Sequence, residues 1–119
     1  MAGSGLVLFR GTEELLSNIR LATTFLTRLR GLMFYQRMPQ IDGLLFSPCN
    51  SIHTFWMRFA IDVIFMDRSG RILAVYEKLP PNRVTKTIKN AYYVLEAEAG
   101  FADRFKVKTG DCLRWEPQN

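Results

Sequence analysis

Short runs of alternating or wholly apolar residues, rather than long amphipathic stretches, dominate this chain. Residues 6–9 and 15–21 flank a Gly11-Thr12 turn, and the second run sets Leu15, Ser17, Ile19 and Leu21 against Leu16, Asn18 and Arg20, so both read as strands. Thr23 or Thr24 can then cap a helix, because Phe25, Leu26, Leu29, Leu32 and Met33 recur at the spacing of one buried helical face. That helix is expected to stop near Gly31 or shortly after it, with Pro39 as a late limit. Residues 43–46 are apolar and run into Ser47-Pro48, which suits a strand ending in a turn. Residues 61–66 and 71–76 flank Asp67-Arg68-Ser69-Gly70, where Asp first and Gly fourth are the preferences of a type I turn, so a β-hairpin is expected.

The pattern breaks at Leu79-Pro80-Pro81-Asn82 and resumes over residues 92–97, with Tyr92, Val94 and Glu96 on one side and Tyr93, Leu95 and Ala97 on the other. The basic, polar segment 82–90 between them reads as a surface loop or edge strand. Residues 100–105 predict a short helical turn with Phe101 and Phe105 facing inward, and Thr109-Gly110-Asp111 turns the chain into a last strand at 112–115. The expected fold is α+β and mainly β: about seven short strands in a small, curled or barrel-like, mostly antiparallel sheet, with one principal helix and a short second helical turn.

A chain of 119 residues with 48% hydrophobic content fits a single domain, residues 1–119, and holds no repeat or low-complexity linker. Nothing approaches the roughly 18 consecutive apolar residues of a membrane span. The N-terminal MAGSGLVLF lacks the basic lead and long apolar core of a secretory signal, so a cytoplasmic, reducing setting is expected, with a processed exported form as the alternative. Cys49 and Cys112 stand far apart and read as plain thiols. Cys49 and His53 are four residues apart, but with a single histidine in the chain and no second ligand pair, neither a metal nor a cofactor is expected. The net charge of +5 is spread from Arg10 to Arg114 without a dense block, which disfavours nucleic acid and leaves a mild preference for anionic partners.

Five groups of residues then stand out together: Arg30-Gly31-Leu32-Met33, Gly43-Leu44-Leu45-Phe46, Ser51 through Arg58 with Ile61-Asp62-Val63 and Phe65, Val94-Leu95-Glu96 with Ala99-Gly100, and Gly110-Asp111. In this order and spacing the chain, from about residue 15 to residue 113, resembles domain-of-unknown-function family 192. Ala60 departs from a proline often found there and Leu44 from a common methionine, both keeping apolar character. The resemblance implies a compact, mostly β domain, cytoplasmic in some members and exported in others, with no established biochemical activity.

The polar residues set within these motifs are Arg30, His53, Thr54, Arg58, Asp62 and Glu96, and those that are buried must find partners. Asp62, inside an apolar strand, is expected to pair with Arg58 or Arg30, since a guanidinium can grip a carboxylate through two parallel hydrogen bonds. In the structural reading that pair fixes the turn at Trp56. In the functional reading His53, Thr54, Arg58, Asp62, Arg30 and Glu96, walled by Trp56 and its neighbours, line a small cleft suited to an anionic small molecule or peptide group, making the protein a binding or accessory module. The alternatives are a hydrolase-like enzyme with His53 as general base, for which no nucleophile or oxyanion motif accompanies Thr54, Ser51 or Cys49, and a protein-interaction module without a small ligand.

Overall fold

The computed structural model describes residues 5–23, 32 and 35–118. Their strands are β1 (Leu6–Arg10), β2 (Glu13–Ala22), β3 (Gly43–Phe46), β4 (Ile61–Met66), β5 (Ile72–Leu79), β6 (Tyr93–Glu98) and β7 (Arg114–Pro117), with one helix, α1 (Phe101–Phe105). They form one sheet in the order β5-β4-β6-β3-β2-β1-β7. Every neighbouring pair is antiparallel except β2 and β3, which run parallel from Ile19 opposite Gly43 to Ala22 opposite Phe46. The chain is therefore α+β and mainly β. The helix expected to begin at Thr23 or Thr24 falls almost wholly outside the described residues; of its apolar positions only Leu32 is described, and it is buried.

Both faces of the sheet carry core, and side-chain alternation assigns residues to each. On β4, Ile64 and Met66 join Leu8, Ile19, Leu45, Leu95, Phe101 and Val107 on one face. Ile61, Val63 and Phe65 join Ala22, Phe46, Met57, Ile88 and Val94 on the other. All six residues of β4 are buried, as expected of a strand that lies between β5 and β6 and is covered on both sides.

The sheet curls without closing. Its two outer strands approach at a single bridge between Arg71 and Cys112, supported by Ile72 N–H to Asp111 O (2.8 Å), Gly110 N–H to Ile72 O (2.9 Å) and Leu113 N–H to Gly70 O (2.9 Å). The hairpin turn makes this approach sterically feasible. Asp67 O accepts the Gly70 N–H at 3.0 Å, Asp67 Oδ1 accepts the N–H groups of Ser69 and Arg71, and Gly70 takes φ +87°. A β-carbon there would stand 2.1 Å from Leu113 O, so glycine is required by space as well as by conformation. Among the described residues no helix is long and apolar enough to cross a membrane.

Candidate functional site

Two irregular segments, residues 47–60 and 80–92, are fastened side by side over the face of the sheet that holds Phe46, Val63 and Val94. Their backbones meet in a loose antiparallel series: Cys49 N–H to Tyr92 O (2.9 Å), Ile88 N–H to Asn50 O (2.9 Å), Thr85 N–H to Ile52 O (2.9 Å) and Thr54 N–H to Arg83 O (2.8 Å). Ile52, Met57 and Ile88 dip from this cover into the core. Thr54 is the central fastener and is fully buried. Its hydroxyl donates to Pro80 O (2.7 Å) and accepts the Arg83 N–H (2.9 Å), while its carbonyl accepts the N–H groups of Asn82 (3.0 Å) and Met57 (3.2 Å). Thr54 thus lies beneath the surface with its one hydroxyl proton already committed. Thr54→Val keeps the shape but strips both hydroxyl bonds, and should lower the unfolding free energy by about 1–3 kcal/mol; urea denaturation of Thr54→Val and Thr54→Ser checks this, the serine variant keeping most of the stability.

The Met57 N–H to Thr54 O bond closes a turn whose third residue, Trp56, takes φ +62°. Glycine or asparagine normally fills such a position, because the left-handed region costs other residues about 1–2 kcal/mol. The turn lifts its side chains outward: Phe55 is 40% exposed and Trp56 61%, and Val84, on the adjoining segment, is 64% exposed. His53 bridges to Val84 through its backbone, stacks its ring on Phe55 at 5.2 Å, and accepts the Phe55 N–H at Nδ1 (3.2 Å). Phe55 meets Trp56 edge-on at 6.2 Å. His53, Phe55, Trp56 and Val84 therefore form a connected apolar ledge. Arg58, Arg83 and Lys86, all exposed, stand beside it in the same two segments.

Asp62 and Glu96 do not join this ledge. Asp62 pairs in register with Ala97, and Glu96 with Val63, so the two carboxyl groups point to opposite faces of the sheet. Asp62 is fully buried, and among the described residues its partners are not guanidinium groups. Oδ1 accepts the Lys78 N–H and Oδ2 the Ala102 N–H, each at 2.8 Å. The expected Asp62–Arg58 pair is therefore corrected: Arg58 is exposed, and the carboxyl group joins the end of β5, where Lys78 takes φ +52°, to the start of α1. Arg30 lies outside the described residues. Although Asp62 is the second residue of β4, it is closed off from solvent, and two directed N–H groups take the place of water.

Glu96 is also buried, on the face covered by the two fastened segments, and its Oε1 has no hydrogen-bond partner among the described residues. Burial away from water pushes its carboxyl pKa up to about 8. Of the seven residues expected to line one cleft, His53 and Trp56 share a surface with Arg58 beside it, Thr54 braces that surface from beneath, and Asp62 and Glu96 are buried apart. Val84 was not among the expected site residues; its signal was that it is one of only two large apolar residues, with Ile88, in the basic segment 82–90. Among the described residues no carboxyl group hydrogen-bonds the imidazole, and no three of the His, Cys, Asp and Glu side chains gather to hold a metal ion.

A small, open, mainly β sheet with a braced surface ledge defines the class of domain, and comparison with known proteins supplies the family. The model of domain-of-unknown-function family 192, described as an uncharacterized ACR, matches residues 7–115, and the chain belongs to this family. A UPF0127 protein of Pyrococcus horikoshii is 33% identical over 102 residues, covering 82% of this chain and 86% of that protein. One from Thermococcus kodakarensis is 34% identical over 105 residues, covering 83% of this chain and 65% of its own. The crystal structure of a protein of unknown function from Novosphingobium aromaticivorans superimposes with a TM-score of 0.79 at 21% identity, covering 93% of this chain and 84% of that one. A second crystal structure, from Sinorhizobium meliloti, gives 0.77 at 24% identity, covering 94% and 92%. These likenesses carry the fold.

Proposed function

We propose that the protein is a binding module whose recognition surface is the ledge of His53, Phe55, Trp56 and Val84, and that its partner is a peptide segment placing a carboxylate beside an aromatic or aliphatic side chain. The observation that carries this reading is Trp56. A tryptophan held at φ +62° and 61% exposed bears backbone strain with little burial in return, and strain of this kind collects at functional positions. Tryptophan, tyrosine and arginine are also the side chains that most often dominate binding energy at interfaces. The cations beside the ledge suit an acidic group on the partner, and the Arg83 guanidinium is steadied by Pro81 O at 3.3 Å. Thr54 and its bonds keep the surface rigid in advance, which lowers the entropic cost of association.

Peptide display against the immobilised domain should enrich sequences that set Asp or Glu next to an aromatic or aliphatic residue. Trp56→Gly should weaken binding of an enriched peptide by at least about tenfold, the loss of one interface anchor. The same change should leave the thermal midpoint undiminished, because glycine relieves the left-handed strain. Enrichment of no such sequence, or equal binding by Trp56→Gly and the parent, would remove the proposal.

A further inference from the structure

Away from the ledge, where β6 ends and α1 begins, a cleft of about 410 Å³ opens between that turn and the segment leading into β3. Its size is at the lower end of the range for small-molecule pockets, roughly 300–1,000 Å³. Leu16, Ile41, Phe101 and Phe105 supply apolar wall, and Glu98 and Arg104 bring opposite charges to the lining. Both charged residues are exposed, and among the described residues neither enters an ion pair, with the other or with anything else. Arg104 is nonetheless oriented, with its guanidinium carbon 4.9 Å from the centre of the Phe105 ring and its backbone N–H bonded to Gly100 O at 2.9 Å. A second carboxylate in the lining, Asp42, is already engaged. Its Oδ2 accepts the Ser17 N–H, the Ser17 hydroxyl and the Asn18 N–H, each at 3.1 Å, which ties the segment before β3 to β2.

A cation and an anion that share a cleft without neutralising each other, beside a small apolar wall, match a ligand bearing the reverse charges and a hydrocarbon group. We infer that this cleft binds a free α-amino acid with an apolar side chain, its carboxylate on Arg104, its ammonium on Glu98, and its side chain against Leu16, Ile41, Phe101 and Phe105. A charge-assisted hydrogen bond at each end makes both termini necessary. Neither residue belongs to the ledge described above, so this site stands or falls independently of the peptide-binding reading.

The test is titration of the intact protein with L-leucine and L-phenylalanine, followed by calorimetry and by amide chemical shifts, with N-acetyl-L-leucine, L-leucinamide and glycine as comparison probes. Saturable binding of leucine or phenylalanine is expected, with shifts centred on Ala99, Gly100 and Phe101. The acetylated, amidated and side-chain-free probes should each bind at least about tenfold more weakly, and so should leucine to Glu98→Gln or Arg104→Gln. Because both substituted side chains are exposed, the variants should keep the parent's amide spectrum elsewhere. The inference is overturned by absence of saturation into the millimolar range, by shifts that map to another surface, by undiminished binding to either variant, or by equal affinity for the acetylated probe, which would mark an anion subsite only.

Discussion

Replacing Asp62 by alanine is expected to lower the unfolding free energy by roughly 2–6 kcal/mol, since it leaves the Lys78 and Ala102 N–H groups without acceptors at about 1–3 kcal/mol each. Ordinary domains are stable by only about 5–15 kcal/mol in all, so this one side chain decides a large share of the total. Asp62→Asn should lose about half as much, because its amide has a single acceptor oxygen to divide between two donors. Urea denaturation followed by circular dichroism, with the slope against denaturant compared between variants, measures both. A loss below about 1 kcal/mol for alanine would mean that water enters and satisfies the two donors. The effect would be structural, with the ledge at Trp56 untouched, because Asp62 points to the other face of the sheet.

Glu96 should give the chain an unusual dependence on pH. Burial raises its carboxyl pKa from 4.5 to about 8 in the folded protein, whereas the unfolded chain titrates near the ordinary value. Between those two values the folded state holds a proton that the unfolded state has released, so raising the pH draws the equilibrium toward unfolding. The stabilisation is complete below the ordinary carboxylate range and disappears as pH climbs through about 8. A tenfold difference in proton affinity between the two states corresponds to about 1.4 kcal/mol, so the decline across this window is on the order of several kcal/mol. Glu96→Gln, which cannot titrate, should remove that part of the slope and be more stable than the parent at about pH 8.5. Urea midpoints of the two proteins at about pH 5.5, 7 and 8.5 test this; parallel profiles would show that the carboxyl group finds a partner or water when it ionises.

How far the sequence could be read depended on the range of the interactions involved. The two faces of β4 followed from alternation alone, because strand geometry fixes where side chains point once a strand exists. The Asp67–Gly70 turn was equally legible, its preferences lying within four residues. The described partners of Asp62 were not, since these donors sit 16 and 40 residues away and are backbone groups, which any residue type could supply. A buried carboxylate in sequence suggests a guanidinium because arginine is visible as a letter, while a directed N–H is not. The burial of Glu96 depends on β6 lying between β3 and β4, an arrangement of strands that local pattern does not specify. The outward set of Trp56 was not legible either, since it goes with one turn residue at positive φ: Phe55 and Trp56 face solvent while Met57 turns in. The cleft near Arg104 joins segments distant in the chain, Leu16 and Ile41 against Phe101 and Phe105, and left no local trace.

The single bridge between Arg71 and Cys112 has a further consequence for how these molecules behave when crowded together. A sheet's unpaired rims invite strands from other chains to continue the ladder, and long exposed rims are a recognised route to aggregation. Here the rims turn toward each other, so part of the hydrogen-bonding capacity that could recruit a neighbour is spent within the same molecule. A bulkier residue at position 70, wedged against the carbonyl of Leu113, would pry those rims apart and expose a template for self-association.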